Sequence, residues 1–351
     1  MLKIGKNKIT KESKLFIIAE IGVNHDCSIS KAKKMILKAK QGGANVAKFQ
    51  TYKAEKLASK VSPSYWDNKK EKKKNQFELF KQYDHFDKKD YKLLSDYCKK
   101  VGIEFCSTPF DEDAVDFINP FVYFFKIASA DINNFFLIKK ICEKKKPIIL
   151  STGASSIKEI KEAITFIKKN KIPPEKVIIM HCILNYPTKD ENANLNMIID
   201  LKRVFPKHII GYSDHTLPDN YMSSISAAYT MGAVVIEKHF TYDKKKKGND
   251  HYHSMDYEDL KKIRLITNII KSKLGHKKKF FINTEKIARL NARRSLFLNR
   301  DMEKNARIKK EDLICLRPGS GIPPNNFKKV IGKKTKKNLK KGKILAYSDF
   351  Y

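Results

Sequence analysis

The chain holds one tryptophan, 14 glycines and six cysteines in 351 residues, and only 38 acidic residues against 73 basic ones. No apolar run approaches the ~18 residues of a membrane-spanning helix, so no membrane partner is expected. The first 14 residues contain no apolar stretch of the kind that forms a secretory signal. Cys27, Cys98, Cys106, Cys142, Cys182 and Cys315 are scattered without CxxC spacing, which suggests neither a zinc knot nor a disulfide framework. A reduced, cytoplasmic protein is the expectation. The shortage of acid leaves a net charge of +35, which raises the question of a nucleic-acid partner. Lysine supplies most of that charge and is spread over nearly every polar stretch, whereas phosphate and base recognition favours the arginine fork. A solvated lysine-rich surface is therefore expected, with no nucleic acid bound. A general positive field would still draw anionic substrates inward.

What is present is a series of eight short apolar runs, each ending in polar, chemically capable residues. They are 15–25, 45–51, 103–110, 123–131, 147–153, 177–187, 208–216 and 233–240. Runs apolar on both faces read as buried parallel strands. Amphipathic stretches alternate with them, giving parallel βα repeats. Ser30 is expected to cap a helix over 31–41 that ends at Gly42-Gly43; Ser156 with Glu159 has capping-box spacing, and Asp256 opens a helix that Gly275 stops. The predicted fold is α/β, a (β/α)₈ TIM barrel. An opening hairpin, residues 1–10, is expected to plug one end, and a long insertion, 52–85, to lie over the mouth. Beyond a charged connector, Gly and Pro punctuate short β-prone segments, which predicts a small β-rich module. The expected domains are 1–283 and 284–351.

In such a barrel, side chains at the C-terminal strand ends converge on one mouth. Glu20, Lys48, Thr108, Lys126, Ser129, Asp131, Ser151, Ser213, His215 and His239 all hold that position. His215 and His239 end consecutive strands, and two neutral imidazoles there suit Mn²⁺, Fe²⁺ or Zn²⁺, with Asp214 and Glu237 as supporting partners. His251 and His253 read as loop residues. Lys48 and Lys126 sit inside apolar runs, where a charge needs an anion beside it. With the strand-end hydroxyls they imply a small, multiply charged ligand. Asp131 and Glu20 are the carboxylates placed for proton transfer, although either could instead partner a lysine.

These residues belong to motifs whose order resembles the N-acetylneuraminate (sialic acid) synthase family, which includes legionaminic and pseudaminic acid synthases. The motifs are AEIGVNH (19–25), AKFQT (47–51), STPF (107–110), KIASAD (126–131), ILSTG (149–153), HC…YPT (181–188), IGYSDHT (210–216), EKHF (237–240), GNDHYHSM (248–255), ARRS (292–295) and RPGSGI (317–322). The tail is similar to the antifreeze-like (SAF, β-clip) module of those enzymes. The resemblance implies a metal-dependent transferase that condenses phosphoenolpyruvate with an open-chain N-acylated hexosamine such as N-acetylmannosamine, releasing phosphate. It implies His215 and His239 as ligands of Mn²⁺ or Mg²⁺. Lys48, Thr108, Lys126, Ser129, Ser151 and Ser213 would hold phosphoenolpyruvate. Glu20 and Asp131 would be catalytic, and Gln50, Tyr186, Asp250 and Arg317 would face the acceptor sugar. The arginine would come from the partner's tail in a homodimer with exchanged C-terminal domains.

The chain departs from the family pattern on the acceptor side. Leu184 stands where relatives usually carry a polar residue, with the amide displaced to Asn185, and the loop 244–249 reads KKKKGN where relatives usually carry Pro-Gly-Pro. Two other readings stand beside this one: a phosphoenolpyruvate-dependent 3-deoxy sugar acid synthase using another aldose, and a non-catalytic basic binder of nucleic acid or anionic surfaces.

Overall fold

The computed structural model describes residues 1–66, 71–73, 75–248 and 250–351. Residues 67–70 and 74 of the expected insertion, and 249 of the lysine-rich loop, lie outside them. The chain divides into two compact units, Met1–Gly275 and His276–Tyr351. The division thus follows Gly275, where the sequence reading placed it after residue 283.

The first unit is an eight-stranded parallel barrel. Its strands are β1 (Phe16–Gly22), β2 (Val46–Thr51), β3 (Glu104–Pro109), β4 (Phe125–Ile127), β5 (Ile148–Ser151), β6 (Val177–Cys182), β7 (Ile209–Asp214) and β8 (Val235–His239). The ladder runs β3-β2-β1-β8-β7-β6-β5-β4, and its two ends, β3 and β4, lie side by side and close the circle. Nearly every strand residue is buried, as expected of strands covered by helices outside and packed side chains inside. Register places functional groups at one level: Glu20 pairs with Lys48 on one side and His239 on the other, and Gln50 with Thr108.

The helices start and stop largely as the sequence predicts. The helix Ile157–Lys169 opens with the Ser156–Glu159 capping box, and Tyr257–Leu274 with Asp256. Each such cap contributes about 1 kcal/mol. The first helix is a correction: it spans Ile29–Gly42, and its cap is Ser28, whose side chain accepts from Lys31 N, so Ser30 lies inside the first turn. The opening segment is a hairpin, Leu2–Ile4 against Asn7–Ile9. Its Lys6 N donates to Glu104 and its Asn7 accepts from Asn45, both at strand starts, so it covers the N-terminal end of the barrel.

The second unit has its own core of Leu296, Leu298, Met302, Ile308, Ile322, Val330, Leu339, Leu345 and Phe350. Its one antiparallel pair is β9 (Ser295–Leu298) with β10 (Leu313–Leu316); Phe297 of β9 bridges Ile344, and Met302 and Arg307 between the two strands bridge Leu339 and Lys334. This is the small β-rich module expected, with a core of its own. Among the described residues no helix is long and apolar enough to cross a membrane, and all six cysteines are free.

Candidate active site

All ten strand-end residues singled out in the sequence line one cavity of about 450 Å³ at the C-terminal mouth. Gln50, Leu184, Tyr186 and Glu237 line it too, and Leu57, Tyr65, Gln76 and Phe80 reach it from the insertion. An adjoining recess shares Gln50, Tyr65, Tyr186 and His239 and adds Asp250. Arg317 belongs to the second unit, where it is exposed. Asn185 is exposed and does not line the cavity, so the wall beside Tyr186 is the apolar Leu184.

The floor is a buried cluster of two lysines and two glutamates. Lys48 Nζ lies 2.6 Å from Glu20 Oε2 and 3.6 Å from Glu237 Oε1, and Lys126 Nζ lies 3.5 Å from the same Glu237 oxygen. Lys48 also donates to Thr108 Oγ1 at 2.9 Å, and Gln50 Nε2 to Glu20 Oε1 at 3.0 Å. Removing four charges from water is offset only by such close pairing. Burial pushes the Glu20 carboxyl up to about 7; Lys48 pulls it down and Glu237 pushes it up. For Lys48 burial opposes the ammonium, but Glu20 and Glu237 outweigh it and hold the pKa above its usual value. Glu237 ends below its ordinary value because Lys126 and Lys48 overcome its burial. The anions that Lys48 and Lys126 required are therefore supplied by the protein itself. Glu237, read in the sequence as a support for the histidines, is the hub of this cluster.

Hydroxyls ring the floor. Ser129 Oγ accepts from Gly153 N at 2.9 Å, and Ser151 Oγ is buried without a partner among the described residues. A side chain at Gly153 would come within 2.9 Å of Ser129 Oγ, so glycine permits this approach. Asp131 is half-buried, accepts from Asn134 Nδ2 at 3.2 Å, and is raised by burial despite Asn134 and Lys126.

The imidazoles stand at the other side. His215 Nδ1 lies 2.7 Å from the Ile183 carbonyl, which it meets as a donor, leaving Nε2 as the free nitrogen. The rings of His215 and His239 are 5.7 Å apart, and those of His239 and His253 are 5.0 Å apart. Asp250 Oδ2 lies 3.4 Å from His239 Nδ1. His239, Asp250 and His253 form a cluster whose ligand atoms all fall within 4.8 Å of one another. Burial lowers the pKa of both His239 and His253, so each ring is neutral, the form that binds a metal. Burial raises Asp250 to about 6. This His/Asp donor set fits a divalent cation.

Two expectations are corrected here. Asp214 does not support the histidines: its carboxylate accepts from Lys238, Tyr212 and Thr216, because Lys238 is fully buried and takes the nearest anion. His253 is no mere loop residue: it is fully buried against His239. The HxH spacing of His251 and His253 carried only a faint signal, since a loop's path back over the mouth is set by tertiary contacts.

The NeuB family matches residues 35–279, and the SAF domain residues 293–350. Over 95% of its length the chain is 38% identical to N,N'-diacetyllegionaminic acid synthase of Legionella pneumophila, covering 93% of that protein. It is 35% identical over 95% of its length to the Campylobacter jejuni protein of the same name, covering 99% of it. The structure of N-acetylneuraminic acid (sialic acid) synthetase from Leptospira borgpetersenii, in complex with citrate, is similar with a TM-score of 0.71 and 33% identity, over 82% of this chain and 94% of that one. The chain belongs to the NeuB family of synthases and carries a C-terminal SAF domain.

Proposed function

We propose that this enzyme is a nonulosonate synthase that condenses phosphoenolpyruvate with the open-chain form of an N-acylated hexosamine and releases phosphate. The observation that carries the reading is the convergence of two lysines, four hydroxyls, three carboxylates and two histidines on one cavity of a NeuB-family barrel. Legionaminic-acid relatives favour a diacetamido sugar or N-acetylmannosamine over the aldoses of 3-deoxy sugar acids.

Lys48, Thr108, Lys126, Ser129, Ser151 and Ser213 hold the phosphate and carboxylate of phosphoenolpyruvate. Its C3 attacks the aldehyde carbon, forming the new C–C bond, while the aldehyde oxygen takes a proton. Positive charge develops at C2, where Lys48 and Lys126 would repel it and Glu20 and Glu237 temper them. Water adds at C2, with Asp131 orienting it, and its proton passes to a carboxylate. The tetrahedral adduct collapses to a C2 ketone as the C–O bond to phosphate breaks. Glu20, with a pKa near neutrality, is suited to carry these protons. Gln50 and Tyr186 orient the sugar, and Asp250 stands beside them next to His239. A divalent ion, Mn²⁺ or Mg²⁺, held by His215 and His239, would polarise the aldehyde oxygen.

Arg317 is proposed to reach the site of a second subunit in a homodimer. An inactive Arg317→Ala chain mixed with an inactive His215→Ala chain should then regain partial activity, because one mouth of the mixed dimer carries neither lesion. Verified heterodimers without rescue would refute exchanged tails. For the reaction itself, His239→Ala should lower turnover on the order of 1000-fold or more, the scale of lost Lewis-acid stabilisation. Undiminished, chelator-resistant turnover in that variant would refute the metal's role.

A further inference from the structure

The His251-Tyr252-His253 stretch holds two imidazoles in opposite conditions. His251 Nδ1 lies 2.8 Å from Thr241 Oγ1, and its Nε2 is 4.0 Å from Asp26 Oδ1. One of its ring nitrogens is thus hydrogen-bonded and the other faces a carboxylate. His253 is completely buried, and neither of its ring nitrogens has a hydrogen-bond partner among the described residues. His239 Nδ1 beside it is also buried and without a hydrogen bond. Each buried polar atom left this way costs roughly 1–3 kcal/mol, so three at one spot call for a ligand.

The segment bearing His253 is firmly held. Met255 N donates to the His239 carbonyl at 2.8 Å, Asn24 Nδ2 to Ser254 Oγ at 3.2 Å, and Tyr252 OH to the Tyr186 carbonyl at 3.1 Å. Fastened on both sides, the His253 ring is presented to His239 and Asp250 by rigid backbone. Imidazoles bound to one ion through nitrogens at about 2.1 Å hold their ring centres roughly 5 Å apart. The His239–His253 separation of 5.0 Å meets that spacing more closely than the 5.7 Å of His215–His239.

We propose that His253 is a direct ligand of the metal, completing a site of three imidazoles and one carboxylate with His215, His239 and Asp250. This rests on the metal reading above and extends it. Nitrogen-rich sites favour Mn²⁺, Fe²⁺, Co²⁺ and Zn²⁺, whereas Mg²⁺ prefers oxygen donors, so Mg²⁺ should bind poorly here. A third imidazole would also anchor the loop that carries Asp250, coupling metal binding to the acceptor side of the mouth.

Co²⁺ titration of metal-free protein, followed by visible absorption, provides a test independent of turnover. Losing an outer hydrogen-bonding partner costs metal sites roughly 10–100-fold, so losing a direct ligand in His253→Phe or His253→Gln should weaken Co²⁺ binding by at least about 100-fold. The absorption bands should shift as well, and excess Mg²⁺ should fail to displace Co²⁺ from the parent. Parent-like affinity and bands in a folded His253 variant would overturn this inference alone, leaving the His215–His239 reading intact. Failure of the parent to bind Co²⁺ would overturn both. NMR of the unaltered Co²⁺-loaded protein, labelled with ¹⁵N-histidine, avoids any folding defect in the variants. Three hyperfine-shifted imidazoles are expected, and only two would sink the proposal.

Discussion

On the strand-built floor of the mouth, Glu20, Lys48, Lys126 and Glu237 balance one another, two charges of each sign within 3.6 Å contacts. On the loop-facing side, His239 and His253 keep three buried ring nitrogens without hydrogen bonds among the described residues. The two regions are equally buried, yet the floor's charges are paired within the chain, with Glu237 Oε2 left over, whereas the imidazole nitrogens have no charged or hydrogen-bonded partner closer than Asp250 at 3.4 Å. The difference teaches which half is stable as folded and which is organised for what it binds. It predicts opposite responses to mutation.

The largest effect should come from breaking the floor. Lys48→Ala leaves Glu20 and Glu237 buried with less compensation, and losing one partner of a buried ion pair costs about 3–5 kcal/mol. Denaturant unfolding should show that loss, and Glu20→Gln in the same chain should recover part of it. A Lys48→Ala protein as stable as its parent would mean the floor is not held by charge pairing.

Next in size is a pH effect. Glu20 rises from an ordinary 4.5 to about 7 on folding, so the folded chain holds that proton more tightly than the unfolded one. Its contribution to stability is therefore fully present below pH 4.5 and is lost as pH rises towards 7. The swing is on the order of 3 kcal/mol, since each pKa unit corresponds to about 1.4 kcal/mol. Relative to Glu20→Gln, the parent should lose stability across this window; parallel stability profiles would contradict the shift. Binding of anionic phosphoenolpyruvate should further favour protonated Glu20. Calorimetry near pH 7 in buffers of different ionisation enthalpy should then reveal proton uptake that Glu20→Gln abolishes.

The smallest effect belongs to the other side. His253→Phe exchanges two unpartnered nitrogens for apolar surface, so metal-free stability should change by less than about 1 kcal/mol or rise. A loss comparable to that of Lys48→Ala would erase the contrast between the two regions.

The same contrast governs what could be read from the sequence. Lys48, Lys126, Glu20 and His239 lie in apolar strands, and strand-end position alone places them around a barrel mouth. Glu237 was legible as a mouth residue but not as the lysines' partner, because register across the barrel decides that pairing. Asp214 was misassigned for the same reason: Lys238, one strand away and facing the other side, claims it. His253 lies on a loop whose return to His239 depends on the Phe240–Met255 bridge and the Asn24 contacts, which no local periodicity reveals. Ser28 took the helix cap from Ser30 through a two-residue difference in where the backbone leaves its extended conformation.

The most direct test of the synthase mechanism uses phosphoenolpyruvate labelled with oxygen-18 at the oxygen bridging C2 and phosphorus. Incubated with an N-acylated hexosamine and Mn²⁺, the enzyme should form a 2-keto acid with a nine-carbon backbone and inorganic phosphate in equal amounts. The label should leave entirely with phosphate, since water attacks C2 and the C–O bond breaks. Label retained in the keto acid, or phosphate released without sugar and without a new C–C bond, would contradict the proposed chemistry.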